Sequence, residues 1–583
     1  VTGPARRTPH RRPPEPPVRR TRLHVVAAVM VIASLGLVVR LAVVQVADSA
    51  RYAAYEKGEI IQKVTLAATR GAIYDSTGDV LAVSVPRTDV VADDFQITAP
   101  RTEAITLAPL LGVPVARLVA ELSEHNGYVV LARGLKDAAV APIERRDLAG
   151  LTFASDSVRV TTGGKDFQPL IGGVNAAGVG DAGVEEAENS LLAGRSGSEL
   201  VALAPGGLAL PTKPTDVVAS KAGTGLVLTI DEPLQVEVEK DLAAQIVATG
   251  ARSGIAVVMD VHTGAILAMV NLVAGPHGKV EPAASNLAAT TVYQPGSVIK
   301  LATIMAALQA GIITPSTVLT VPDTLSVGGY QFADAEVHPT EQLTVAQILA
   351  QSSNIGTIEI AQRLGLDRLA AGLSALGFGR LTGLDWPGES AGIVGSPATW
   401  FGSAAAAVPI GTGIAVTPLQ ILDAYNTIAN DGVFVPPHLV AGTVTGDGAE
   451  HLVSASSGVR TVAASTVAEL VPMLEGVVQD GTAVLAHIPG YTVAGKTGTA
   501  QVPDTGALGY VAGDWNATFV GFVPTEDPQL SGIVVLNHPT PIYGGTVSAP
   551  VFSQIMRYAL RRFDIPPPSG AALDANVSPA SKR

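Results

Sequence analysis

Three short strings far apart in this chain have to meet if any of them is to do chemistry: Ser297-Val298-Ile299-Lys300, Ser352-Ser353-Asn354 and Lys496-Thr497-Gly498. Each brings different polar groups: a hydroxyl with an amine, hydroxyls with an amide, and an amine with a hydroxyl. A serine hydroxyl is a poor nucleophile until a neighbouring base takes its proton. Pro295-Gly296 marks a turn, the run from Ser297 to Ala310 reads as a helix, and Gly311 suits its C-terminal cap. Ser297 is therefore expected at a helix start, with Lys300 three residues on along the same face, where an amine can reach the hydroxyl. Burial and a second cation both lower a lysine pKa, and Lys496 is the natural second cation. Of 38 basic residues only 11 are lysines, yet both motif cations are lysine. Arginine could not accept the proton.

Ser352-Ser353-Asn354 lies between two amphipathic stretches and reads as a helix–turn–helix junction. Ser352 is a candidate proton relay to the leaving amine, and Asn354 a candidate partner for Lys300 and a substrate amide. Lys496-Thr497-Gly498-Thr499 continues a strand-like segment. With period two, Thr497 and Thr499 share a face and can grip a substrate carboxylate, while Lys496 points toward the serine–lysine pair. Gly498 leaves room for another backbone. The backbone N–H groups of Ser297 and Thr499 are candidates for an oxyanion hole. Alone, each string has a plainer reading, such as a helix start with a solvated lysine, an N-cap serine or a strand end. Their joint occurrence in this order outweighs those readings.

These strings are the Ser-x-x-Lys, Ser-x-Asn, Lys-Thr-Gly set of penicillin-recognising enzymes, and the chain resembles a class B penicillin-binding protein over roughly residues 23 to 565. Arg70-Gly71-Ala72-Ile73-Tyr74-Asp75, Gly180-Asp181-Ala182-Gly183-Val184-Glu185, Leu228-Thr229-Ile230-Asp231 with Gln235, Asp260 with Thr263-Gly264, and Gly411-Thr412-Gly413 with Thr417-Pro418-Leu419-Gln420 carry the likeness outside the active-site strings. The chain departs from the family at Val158-Arg159-Val160-Thr161-Thr162-Gly163-Gly164, which lacks the usual arginine–tyrosine–proline, at Gly411-Thr412-Gly413 and at Asn516-Ala517-Thr518-Phe519. The resemblance implies an α/β (α+β) transpeptidase fold, with an antiparallel five-stranded sheet flanked by helices. It also implies cross-linking of peptidoglycan stem peptides with release of D-alanine, and covalent binding of β-lactam antibiotics. The C-terminal Ala549-Pro550-Val551-Phe552 to Ile565-Pro566-Pro567 and the short pedestal look most like the cell-division branch of actinobacterial type. That branch implies membrane glycan polymerase and divisome proteins as partners.

The expected organisation is a cytoplasmic Arg/Pro-rich tail (1–22), a transmembrane anchor (23–46), a pedestal (47–220), the transpeptidase domain (221–565) and a flexible tail (566–583). Residues 1–22 carry seven arginines and one glutamate, whereas the whole chain has a net charge of −13. An acidic body argues against nucleic acid as a partner. Basic residues just before the apolar run Val25 to Val46 fit a positive-inside flank, which puts the catalytic region on the extracytoplasmic side. Arg40 and Gln45 are its polar interruptions; snorkelling accounts for Arg40 as well as a partner helix would. Cysteine is absent, histidines are scattered, and no cofactor or metal site is expected.

Other functions fit less well. The pedestal-like region runs against a glycosyltransferase module. No glutamate between Asn354 and Lys496 is followed four residues on by asparagine, which disfavours a hydrolytic β-lactamase. A D,D-carboxypeptidase, an elongation-type transpeptidase and a non-catalytic β-lactam-binding divisome scaffold are the remaining alternatives. A sensor would need a cytoplasmic output domain, and 22 residues leave no room for one.

Overall fold

The computed structural model describes residues 20–47, 61–124, 127, 129–164, 167–202, 215–453, 456–504, 506 and 509–568. Residues 1–19 and those beyond 568, which include most of the two expected tails, lie outside the described residues. Helix Arg20–Ala42 continues through a wider turn at Val43–Ala47. Leu23–Val46, with mean hydropathy 2.5, is among the described residues the one helix long and apolar enough to cross a membrane. Among the described residues its apolar side chains are exposed, Ile32 at 70%. A continuous apolar surface of this kind needs a non-aqueous or protein neighbour.

The region before residue 220 is organised around one long strand, Val80–Ala92. Leu151–Thr161 pairs antiparallel along residues 82–92 of it, Val129–Leu135 with its far half and Ile73–Tyr74 with its start. Ile73–Tyr74 then pairs in parallel with Gly225–Leu228, which itself pairs antiparallel with Val440–Val444. This sheet therefore draws strands from both sides of residue 220. The cores follow the same pattern. Val90, Leu107, Leu118, Leu131 and Ile143 close a small core of their own. Ile73, Leu81, Phe167 and Leu192 instead belong to one continuous core that extends to Leu560.

A buried ion-pair network orders the region before residue 220. The side chain of Glu185 is 1% exposed and accepts from Arg70 Nε at 2.5 Å and Arg159 Nε at 2.6 Å. Arg70 also donates to Asn189 Oδ1 and to the Glu185 carbonyl, both at 2.8 Å. The segment Val158 to Gly164, which departs from the family pattern, still contributes an arginine here. Gly71 follows Arg70 because the chains run close: a Cβ there would lie 2.1 Å from the Thr224 carbonyl oxygen.

The catalytic sheet runs Val280–Pro282, Ile266–Ala274, Ser253–Asp260, Leu530–Asn537, Tyr510–Val523, Ala494–Pro503, with every neighbouring pair antiparallel. Five strands are long. The sixth, Val280–Pro282, adds three residues at one edge, a segment too short to show any alternation in sequence. Helix Ala549–Arg562 meets the sheet at Gly532, where a Cβ would lie 2.2 Å from the Met556 methyl. Helix Pro418–Ala429 meets it one residue earlier, where Ser531 Oγ donates to Asn426 Oδ1 at 2.6 Å. Successive strand residues face opposite sides, so the two helices cover opposite faces. Ala549–Arg562 buries Val551, Phe552, Ile555, Met556, Ala559 and Leu560 at helical spacing. Phe552 stacks edge-on against Phe519 at 4.8 Å; burying such a ring contributes about 2–3 kcal/mol. The same helix ends on Asp231, the N-cap of Glu232–Thr249, through Arg562 Nη2 at 2.9 Å. Gln235 of that second helix pairs with the Met269 backbone, donating at 2.9 Å and accepting at 2.7 Å.

Removing one member of a buried ion pair leaves the others uncompensated and costs about 3–5 kcal/mol. Glu185→Gln strands Arg70 and Arg159. We expect a clear fall in Tm by scanning fluorimetry, with Asn189→Ala losing much less; an unchanged Tm in Glu185→Gln would show that the network is not stabilising.

Candidate active site

The turn Gln294-Pro295-Gly296 delivers Ser297 into a single 3₁₀ turn, Gly296–Ile299, that passes directly into the α-helix Lys300–Gln309. The expected helix from Ser297 to Ala310 is thus tighter over its first residues. Gly296 has φ +60° and donates its N–H to the Gly411 carbonyl at 3.0 Å. Gly411, with φ +82°, lies so close that a Cβ on it would be 2.2 Å from the Gly296 oxygen. Behind the turn, Tyr425 Oη donates to the Val298 carbonyl at 2.8 Å. Gly311 closes the far end of the helix with φ +65°. Residues 300–308 are all buried, so Lys300 starts a helix that runs through the core.

Lys300 is 0% exposed. Its Nζ donates to the Ser352 carbonyl at 2.5 Å and to Asn354 Oδ1 at 2.8 Å, with Ser352 Oγ at 3.4 Å. Among the described residues none of its hydrogen bonds goes to Ser297, although the spacing alone suggested that contact first. The second string forms the junction between helices Val345–Ala350 and Asn354–Leu364. Ser353 is the N-cap of the latter and accepts from Gly356 N at 3.0 Å. Ser352 takes the left-handed conformation at φ +61°, which is uncommon for a residue with a Cβ. The left-handed residue turns both its carbonyl and its hydroxyl toward Lys300.

The third string lies on the edge strand Ala494–Pro503. Period two sorts its residues. Gly498 faces the nucleophile turn, where a Cβ would lie 2.8 Å from the Pro295 carbonyl oxygen. Thr497 and Thr499 face the other way. Thr497 Oγ1 bonds Thr482 Oγ1 at 2.7 Å, and Thr499 Oγ1 accepts from Gly544 N at 3.3 Å. Lys496 is 0% exposed, and its Nζ curls to the Thr497 carbonyl and Oγ1, both at 3.3 Å.

Burial governs the charges. It lowers the Lys300 pKa to about 7, against a smaller opposing pull from the Asp334 carboxylate. Lys496 is held well below the ordinary lysine value, first by burial and then by the charge of Lys300. Two ammonium groups cannot both stay charged in such a site. The arrangement can therefore hold one neutral amine near a serine at neutral pH.

All eight residues read from the three strings come together around this site. Others were not legible. Thr482, Asp334 and Tyr293 (whose Oη lies 3.0 Å from Thr518 Oγ1) have no motif signal. They enter through folding alone.

Comparison with known proteins agrees with this architecture. Residues 254–557 match the penicillin-binding protein transpeptidase domain, and residues 65–228 the penicillin-binding protein dimerisation domain. The chain is 30% identical over 576 residues to penicillin-binding protein PbpB of Mycobacterium tuberculosis, covering 92% of this chain and 84% of that one. It is 32% identical over 528 residues to peptidoglycan D,D-transpeptidase FtsI of Escherichia coli, covering 87% and 86%. Among solved structures, penicillin-binding protein 3 of M. tuberculosis complexed with aztreonam superimposes with a TM-score of 0.68 at 28% identity, covering 88% of this chain and 99% of that one. The transpeptidase match spans more than half of the chain and the relatives align over most of their length, so the chain belongs to the class B penicillin-binding proteins.

Proposed function

We propose that this protein is a serine D,D-transpeptidase that cross-links peptidoglycan stem peptides. The observation that carries the reading is the contact of buried Lys300 with both Ser352 and Asn354, beside a second buried lysine. Neutral Lys300 takes the proton of Ser297 Oγ as that oxygen attacks the penultimate D-alanine carbonyl. The N–H groups of Ser297 and Thr499 hold the developing oxyanion. Thr497 and Thr499 bind the terminal carboxylate, and Gly498 lets the strand approach the nucleophile turn. As the tetrahedral intermediate collapses, Ser352 relays the proton from Lys300 to the leaving amine, and D-alanine departs. The amine of a second stem then attacks the ester, its proton returns through Lys300 to Ser297, and the cross-link is released. Burial keeps Lys300 able to be neutral, Lys496 lies beside it as a second buried amine, and Asn354 orients Lys300. β-Lactams, whose strained amide resembles the scissile bond, acylate Ser297 and stay. The chemistry requires neither metal nor cofactor.

The domain boundaries read from sequence belong to the same proposal: a cytoplasmic segment 1–22, an anchor 23–46, a pedestal 47–220, a catalytic region 221–565 outside the membrane and a tail 566–583. The similarity of the anchor, pedestal and C-terminal segment to division-type members supports a place in septal wall synthesis, beside a membrane glycan polymerase and other divisome proteins.

Mass spectrometry after penicillin treatment is expected to find the adduct on the peptide containing Ser297, and Ser297→Ala to carry none. Lys300→Arg should acylate about 10²–10⁴-fold more slowly, and the wild-type rate should rise with pH through about 7, where Lys300 loses its proton. Acylation within tenfold of wild type in Lys300→Arg would remove Lys300 as the base.

Gly411→Ala should slow acylation by about 10²-fold, because the new methyl displaces Gly296 and with it Ser297. Stopped-flow acylation with a fluorescent penicillin measures this, and a wild-type rate would show that the contact can relax.

Depletion in the host should give filamented cells lacking septa, with a tagged copy at midcell. Rounded cells with intact septa would assign the protein to elongation. Separate assays of D-alanine release and acceptor transfer distinguish it from a carboxypeptidase.

A further inference from the structure

The hairpin Thr324–Val327/Tyr330–Ala333 ends on Asp334, beside the Ser352–Asn354 turn. One oxygen of Asp334 accepts from Ser353 Oγ at 2.7 Å. The other accepts from the backbone N–H of Asn354 and, at 3.0 Å, of Ile355. A single carboxylate thus holds the N-cap hydroxyl and two first-turn amides of helix Asn354–Leu364, where a negative charge is favoured. The preceding residue completes the grip, because Asn354 Nδ2 donates to the Ala333 carbonyl at 2.9 Å. With its NH₂ group committed there, Asn354 must turn Oδ1 to Lys300. Flipping the amide would set an NH₂ against the lysine and a carbonyl against a carbonyl.

Asp334 has one further neighbour. His338 Nε2 lies 3.2 Å from Asp334 Oδ2, and Nδ1 lies 2.7 Å from the Pro339 carbonyl. Both partners only accept, so both ring nitrogens must donate, and the geometry is that of an imidazolium. Its pKa is held up first by the Pro339 carbonyl, against desolvation, and then by Asp334 and Glu341. The charged groups around this pair are Glu341, Asp323, which accepts the His338 N–H at 3.3 Å, and, across the turn, Lys300 with Lys496 behind it.

We propose that Asp334 is a positioning residue for acyl transfer: it holds the Ser352–Asn354 turn against Lys300, and His338 sets how much of its negative charge that lysine feels. The carboxylate favours protonated Lys300. While His338 is protonated it offsets that pull; once His338 is neutral the pull is full.

This rests on Lys300 being the base, and the test separates the two. Acylation rates of full-length protein in detergent are measured with a fluorescent penicillin from pH 5.5 to 9. Asp334→Asn keeps the shape and removes the charge. Its rising limb should move to lower pH. His338→Gln removes the offsetting cation and should move the limb to higher pH. Asp334→Glu keeps the charge but lengthens the arm, so its plateau should fall by about 10²-fold while its limb does not follow that of Asp334→Asn. Tm is recorded for each variant. A folded Asp334→Asn whose limb stays in place, limbs that move in the same direction in Asp334→Asn and His338→Gln, or a wild-type plateau in Asp334→Glu would overturn the proposal. If Lys300 is not the base, Lys300→Arg acylates normally whatever these variants do.

Discussion

Everything near the active site depends on two lysines that have been taken out of water. Lys300 and Lys496 are both fully buried, and burying an ammonium costs several kcal/mol unless it is paired or gives up its proton. The fold does some of each. Lys300 spends its hydrogens on Ser352 and Asn354, while Lys496, among the described residues, donates to its own neighbour Thr497. Among the described residues neither forms an ion pair with a carboxylate, and the carboxylate that influences Lys300, Asp334, acts from behind the turn. The result is an amine that can be neutral at physiological pH, which an exposed lysine cannot be.

Holding such a site requires rigid surroundings, and the structure builds them from close backbone approaches. Gly411 against Gly296, Gly498 against Pro295 and Gly544 against Gly498 leave no space for a Cβ at any of the three. The nucleophile turn, the edge strand and the segment at 544 therefore sit at backbone contact distance. A side chain at any of these points would push apart groups that must stay within hydrogen-bond reach.

The catalytic region is also not isolated from the region nearer the anchor. A shared sheet and a continuous core run from Ile73 and Leu81 into it, and the Glu232 backbone N–H donates across to Asp75 Oδ2 at 3.2 Å. The smaller core around Leu107 and Leu131 is separate. The region around Ile73 and Leu81 thus meets the catalytic sheet through packed elements.

The three strings, the long apolar helix and the helix–turn–helix around Ser352 were legible in sequence because each is local: a motif, a run of apolar residues, a change of periodicity. The capping role of Ser353 and the room needed at Gly498 follow from residue type once the element is known. The edge strand Val280–Pro282 escaped because three residues carry no period. The partners of Lys300 could not be read from the three-residue spacing to Ser297, since the ammonium turns to whichever acceptors folding brings, and these lie 52 and 54 residues away. Asp334 has no motif and no periodicity. Its importance arises only because a hairpin places a carboxylate at the N-terminus of another helix. Sequence alone determined which chemical groups the protein owns and that one helix is long and apolar enough to cross a membrane. Tertiary structure decided which of them lose their water, and burial is what makes a lysine a base.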